Sequence, residues 1–178
     1  MEYKIYRFKS LTSTQDKAKE LSKKKLSDAV IVAENQTRGR GRFKRKWSSD
    51  KGGLWMSISL KPDDTKNLQY LTFAAAISVV KSIKKIANLK TSIKWPNDIH
   101  YKGKKLCGIL TEGIFGNENY AIVGIGVNVN QNKFPDEIRD IASSLKMVNK
   151  RKINIKKLEE NIINNFFNLY NNYYNKNK

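Results

Sequence analysis

Lys104-Lys105-Leu106-Cys107-Gly108-Ile109-Leu110-Thr111-Glu112-Gly113-Ile114-Phe115-Gly116-Asn117-Glu118-Asn119-Tyr120-Ala121-Ile122-Val123-Gly124-Ile125-Gly126-Val127-Asn128-Val129 holds two apolar runs, Lys105–Phe115 and Tyr120–Val129, either side of a Gly116-Asn117 turn. Runs of this kind joined by a short Gly/Asn turn predict an antiparallel hairpin. Gly124 and Gly126 alternate within the second run. Glycines so spaced imply that a ligand or a neighbouring segment packs close to the strand backbone.

Outward from this hairpin the chain alternates short strands with a few helices. Ser92–Trp95 and Ile99–Tyr101 precede it as strand candidates, with a turn at Gly103, and Leu54–Leu60, Ala29–Ala33 and Tyr3–Phe8 lie further upstream. Ser13 and Asp16 have capping-box spacing, with Asp in place of the usual Glu, and predict a helix through Ala18 and Leu21 to Lys23-Lys24-Lys25. Leu71, Ala75, Ile77, Val80, Ile83 and Ile86 give helical spacing over Leu68–Ala87. A last helix is predicted over Ile155–Tyr174, capped by Asn154, with Ile155, Leu158, Ile162, Phe166, Leu169 and Tyr173 on one face. The polar run Glu34–Ser49 reads as a long loop. No repeat or linker interrupts the pattern. It predicts one α+β domain over residues 1–178, a mixed, largely antiparallel sheet covered by helices.

Composition narrows the setting. The 39% apolar content over 178 residues suffices for a core. No stretch approaches the roughly 18 apolar residues of a membrane span, and the charged N-terminus lacks the apolar block of a signal peptide. One cysteine, Cys107, excludes an internal disulfide, and one histidine, His100, makes a zinc site of the usual kind unexpected. A cytoplasmic setting is expected. The net charge of +19 attracts polyanions or acidic partners, yet it also suits a lysine-rich solvated surface.

Three constellations could carry chemistry. Gly39-Arg40-Gly41-Arg42-Phe43-Lys44-Arg45-Lys46-Trp47 pairs glycines, which let backbone approach a ligand, with arginine forks that bind phosphate oxygens. It lacks the Gly-Lys-Ser/Thr ending of a Walker loop. Taken alone it admits phosphate binding, nucleic-acid binding or plain basic surface. In Lys94-Trp95-Pro96-Asn97-Asp98 and the following Lys104–Glu112, a carboxylate at Asp98 and an ammonium at Lys105 stand near a sheet. The ordinary alternatives are a turn and a strand-end charge. The third is Gly124-Ile125-Gly126-Val127-Asn128-Val129-Asn130.

In order and content these motifs resemble the biotin–protein ligase family. The resemblance rests on Ser13–Gln15, Gly39–Trp47, Gly52–Ser57, Lys94–Asp98, Lys104–Glu112 and Gly124–Asn130, nearly the whole chain. It implies the biotin/lipoate ligase-like fold and a two-step reaction. Biotin carboxylate attacks the α-phosphorus of Mg²⁺-ATP, giving biotinyl-5'-AMP and pyrophosphate, and a carrier lysine then takes the biotinyl group and expels AMP. By resemblance Ser13, Thr14, Gln15 and Gln36 bind the ureido head of biotin, and Gly108 flanks its bicyclic ring. Gly39, Arg40, Gly41, Arg42 and Lys105 surround the carboxylate. Arg40, Arg42, Arg45, Trp47, Asn97, Lys105 and Asn128 line the ATP side, and Asp98 orients the incoming amine. Lys105, Arg42 and Asp98 are the expected catalytic residues, and no protein-bound metal is expected.

The implied partner is the biotin carboxyl carrier domain of acetyl-CoA carboxylase or a related carboxylase, with a homodimer among the assemblies allowed. Neither the N-terminal winged helix nor the C-terminal β-barrel of family members is read here. Specific DNA binding is therefore not expected. Three rivals remain: a lipoate or octanoate ligase of the same fold, a basic nucleic-acid-binding module, and an inactive biotin-binding remnant. Trp47, Trp55 and Trp95 each fall inside a ligase motif, which counts against the RNA reading.

Overall fold

Seven strands form one sheet in the order β1-β2-β3-β7-β6-β5-β4 in this computed structural model, which describes residues 3–24, 28–62, 67–116 and 118–174. The strands are β1 (Lys4–Leu11), β2 (Ala29–Gln36), β3 (Leu54–Leu60), β4 (Ser92–Lys94), β5 (Asp98–Tyr101), β6 (Lys104–Ile114) and β7 (Tyr120–Val127). Only β1 and β2 run parallel, and α1 (Thr14–Lys23) supplies the crossover that parallel pairing requires. All other neighbours are antiparallel, so the mixed, largely antiparallel sheet expected from sequence is the sheet observed.

Side-chain alternation gives the sheet two apolar faces. Val30, Met56, Ile58, Val123, Ile125 and Val127 point to one face and are buried under α2 (Gln69–Ala87) and α4 (Ile155–Leu169). Ile31 and Ile122 point to the other and pack with Ala18 and Leu21 of α1. The β5–β6 hairpin turns at Lys102 (φ 46°) and Gly103 (φ 80°), the pair of positive φ values that a two-residue turn needs to match strand twist.

Helix ends follow local chemistry. Ser13 Oγ accepts from the backbone N–H groups of Gln15 and Asp16, as the capping reading predicts. Asp16 does not complete the box; its carboxylate takes Arg40 at 2.6 Å instead. Asn154 caps α4 by accepting from Lys157 N at 3.0 Å. That helix is α-helical only to Leu169 and continues as a π turn over Tyr170–Tyr174.

Among the differences from the sequence reading, two have identifiable reasons. Strand β2 runs past Ala33 because Asn35 and Gln36 still pair with Ser10 and Leu11. A short helix α3 (Leu145–Asn149), capped by Ser144 Oγ on Met147 N, occupies a stretch with no extended apolar period. Lys25, Asn117 and the side chain of Tyr173 lie outside the described residues.

Candidate active site

A cleft of about 320 Å³ opens on the α1 face of the sheet, over β2, β3, β6 and β7. Its floor exists because Gly108, Gly124 and Gly126 leave that face bare. A Cβ at Gly124 would sit 2.5 Å from Gln15 Oε1, and one at Gly126 would sit 2.6 Å from Trp47 Nε1. At Gly108 it would sit 2.9 Å from Trp47 Cζ3. The close approach read from the alternating glycines is thus made by side chains of this chain, Gln15 from α1 and Trp47 from the basic loop. Gly124→Ala is expected to push Gln15 from its seat and to lower stability by about 1–3 kcal/mol, the usual cost of overpacking. Urea unfolding monitored by tryptophan fluorescence measures it.

The end of the cleft under α1 is a chain of uncharged polar groups. Gln36 Oε1 accepts from Thr14 N at 2.7 Å and from Thr14 Oγ1 at 3.0 Å. Ser57 Oγ lies 2.9 Å from Thr14 Oγ1 and 3.0 Å from Gln15 Oε1. Gln15 Nε2 donates towards the carbonyls of Leu110 and Ile122, each at 3.3 Å. Gln36 Nε2 donates to Ser49 Oγ at 2.8 Å. Hydroxyls and amides held at fixed spacing in a buried site suit a neutral head group that both donates and accepts, such as an amide or a cyclic urea.

The other end is ionic. Lys105 Nζ lies 2.7 Å from Asp98 Oδ2 and 5.1 Å from the Trp47 ring centroid. Asn97 Nδ2 donates to Asp98 Oδ1 at 3.1 Å, while Arg42 Nη1 donates to Asn97 Oδ1 at 3.0 Å. Arg42, Asn97, Asp98 and Lys105 therefore form one connected row. The backbone of Lys105 is fixed from both sides: its N–H donates to Ile141 O at 2.7 Å and its carbonyl accepts from Ser143 N at 3.0 Å. Asn128 N donates to Leu106 O at 2.8 Å, which seats Asn128 beside the same strand.

The basic loop is partly tied down. Trp47 N donates to Gly39 O at 2.9 Å and Gly41 N to Arg45 O at 2.8 Å. Arg40 Nη2 reaches Asp16 at 2.6 Å and Glu112 at 3.4 Å, and Lys19 shares Glu112 at 2.8 Å. Burial pushes the Glu112 carboxyl up, but hydrogen bonds from Lys19 and Gln15 and the charge of Arg40 outweigh it, leaving Glu112 below its ordinary value. It stays anionic at neutral pH. Arg42 and Arg45 carry no carboxylate partner among the described residues.

Of the residues expected at the site, Ser13, Thr14, Gln15, Gln36, Arg40, Gly41, Arg42, Arg45, Trp47, Asn97, Asp98, Lys105, Gly108 and Asn128 all line the cleft. Gly39 does not. A Cβ there would meet Ser49 Oγ at 2.3 Å and Trp47 O at 2.5 Å, so this glycine lets the loop fold back on itself. Two expectations change in character: Lys105 and Asp98 are partners rather than separate groups, and the charge of Arg40 is already matched by two carboxylates. Cys107 is buried, and burial pushes its thiol far up, consistent with a small apolar filler.

Sequence reasoning missed Ser57, and it missed the turn segment whose Phe134, Ile138, Ile141 and Ala142 also line the cleft. The i, i+3, i+4 spacing of Ile138, Ile141 and Ala142 was the available signal. Ser57 sits inside an apolar strand, where only the alternation of Trp55, Ser57 and Ser59 marks a polar stripe.

A sequence profile of the biotin/lipoate A/B protein ligase family matches residues 5–130. The chain is 47% identical over 150 residues to the bifunctional ligase/repressor BirA of Bacillus subtilis, covering 80% of this chain and 46% of that protein. It is 32% identical over 126 residues to the biotin–[acetyl-CoA-carboxylase] ligase of Mycobacterium tuberculosis, covering 67% of this chain and 46% of that one. The chain thus spans about half the length of the curated relatives it matches. Among solved structures, the Aquifex aeolicus biotin protein ligase in complex with biotin and ATP superposes with a TM-score of 0.82 at 34% identity, covering 97% of this chain and 74% of that one.

Proposed function

The chain belongs to the biotin/lipoate A/B protein ligase family, and from that premise we propose that it activates biotin with Mg²⁺-ATP to biotinyl-5'-AMP and transfers the biotinyl group to a lysine of a biotin carboxyl carrier domain. The observation that carries biotin over lipoate is the hydrogen-bonded row Gln36–Thr14–Ser57–Gln15. A ureido ring offers two N–H donors and a carbonyl acceptor to such a row. The dithiolane of lipoate, like the alkyl chain of octanoate, offers neither and would forgo hydrogen bonds to this row, each of which contributes about 0.5–1.5 kcal/mol.

The ionic end suits the rest of the reaction. Attack of one anion on another concentrates negative charge around the α-phosphorus, and fixed cations lower its energy. Lys105, Arg42 and Arg45 supply them, with Lys105 held by its backbone bonds to Ile141 and Ser143. Lys105 Nζ lies over the Trp47 ring at 5.1 Å from its centroid, so the indole face helps to hold the ammonium in the cleft. Asp98, two residues from the cis Trp95-Pro96 bond, presents a carboxylate where an incoming ammonium must shed its proton. The relatives share this reading by name: one is called a biotin–[acetyl-CoA-carboxylase] ligase and another was solved with biotin and ATP. The first of those names supports an acceptor in acetyl-CoA carboxylase or a related enzyme. A nucleic-acid platform fits less well, because helices cover both sheet faces and Trp55 is wholly buried.

Among the described residues no helix is long and apolar enough to cross a membrane. The test is direct. Incubation with biotin, Mg²⁺-ATP and a carrier domain should add one biotinyl group to the carrier by intact-mass spectrometry. Equal or greater labelling with lipoate or octanoate would overturn the choice of substrate, and no adenylate with any of the three acids would overturn the reaction.

A further inference from the structure

Beside the cleft, at the sheet edge, a cluster of apolar side chains faces solvent. On α2, Tyr70, Phe73 and Ile77 fall on one stripe by their i, i+3, i+7 spacing, with Tyr70 53% exposed. The Phe73 ring centroid lies 4.4 Å from that of Trp95, the two planes tilted by 34°, and 6.1 Å from that of Tyr70. Trp95 is 70% exposed, and Ile93 next to it on β4 is 40% exposed. A run of aromatic and branched side chains left open to water is unusual on a protein with this much charge.

Its position gives it a use. Strand β4 is an edge of the sheet, and Ile93 pairs with the buried Ile99 while Lys94 pairs with Asp98. Alternation therefore sends Ile93 to the α2 face and Lys94 with Asp98 to the cleft face. A body gripping this edge touches the aromatic cluster on one side and the Asp98–Lys105 pair on the other. Among the described residues, the exposed charged side chains nearest in sequence, Lys81, Lys84, Lys85, Lys90, Lys94 and Lys102, are all cationic.

We propose that Tyr70, Phe73, Ile93 and Trp95 form the docking platform for the acceptor, a protein with an acidic surface that offers its lysine beside Asp98. This rests on the ligase reading above and adds to it the surface that recognises the protein substrate. The aromatics supply the desolvated anchor that dominates protein interfaces, and the lysines around them raise the encounter rate with an acidic partner. Transfer to a small amine needs only the cleft, so the platform governs the carrier alone.

The experiment separates the two half-reactions. Pyrophosphate release with biotin, ATP and hydroxylamine, which traps the adenylate, measures activation without a carrier. Transfer is measured against the concentration of a biotin carboxyl carrier domain. Tyr70→Ser with Ile93→Ser should leave the hydroxylamine rate unchanged and raise KM for the carrier by about tenfold or more, the usual loss for a hot-spot pair. Trp95→Phe should restore most of what Trp95→Ser removes. An unchanged carrier KM in the double variant overturns the platform. So does a change confined to the sedimentation coefficient, which would make the cluster a contact between copies of this chain. A wild-type protein that releases no pyrophosphate overturns the ligase reading itself.

Discussion

Lys105→Ala is expected to slow biotinyl-AMP formation by about 10²–10³-fold, the loss typical of removing one fixed donor from developing negative charge. The expectation rests on how firmly this ammonium is placed. Its backbone is held by Ile141 O and Ser143 N, and its Nζ by Asp98 at 2.7 Å and the Trp47 ring at 5.1 Å. A group this constrained needs little rearrangement to meet a phosphate, and water filling its place would not be so oriented. Asp98→Asn is the informative contrast. It keeps the hydrogen bond from Asn97 in reach and spares the cation, so activation should persist while transfer to the carrier slows. Single-turnover transfer from purified biotinyl-AMP reads the second step, and pyrophosphate release reads the first. If both variants lose activation to the same extent, the pair works as one unit and the division of labour fails.

Arg42→Gly should release biotinyl-AMP into solution. Arg42 is exposed, and its one hydrogen-bond partner among the described residues is the Asn97 amide at 3.0 Å. Its charge is thereby free to meet a phosphate, whereas Arg40 is matched by Asp16 and Glu112. A hydrogen bond to a charged group contributes about 1.5–3 kcal/mol, or about ten- to over a hundredfold in retention. Dissociation of radiolabelled adenylate should accelerate by that factor, and bystander lysines should become biotinylated. An unchanged dissociation rate would show that retention lies elsewhere in the cleft.

Much of this was legible in the sequence because the chain states its backbone needs openly. The hairpin of β6 and β7, the extent of β3 and the capping role of Ser13 follow from apolar runs, turn residues and a hydroxyl in the right place. The site was legible through motifs rather than through periodicity, since Arg42, Asn97 and Lys105 are far apart in the chain and meet only in the fold. What could not be read is pairing. Nothing in the sequence distinguishes Arg40, held by two carboxylates, from Arg42, which has none among the described residues. Nor does local pattern reveal that Asp16, set up as a capping partner, is drawn off by an arginine 24 residues away. Long-range electrostatics overrode a local preference there. The segment with Phe134 and Ile138 escaped for a different reason: the spacing of Ile138, Ile141 and Ala142 spans a single turn, too short to stand out as a helix.

Gly108, Gly124 and Gly126 contribute no side-chain atom to the cleft, yet its depth is theirs. For anyone re-engineering the pocket they are a mutational blind spot. An alanine scan reports what a protein loses when side chains are trimmed, and at these three positions the scan adds a methyl group instead. A collapse in activity there would look like the loss of a contact when it is a collision with the Gln15 or Trp47 side chain. Libraries meant to admit bulkier analogues of the acid should leave the three glycines alone. They should diversify the tips that occupy the vacated space, Gln15 on one side and Trp47 on the other, where a shorter side chain gives room without moving a strand.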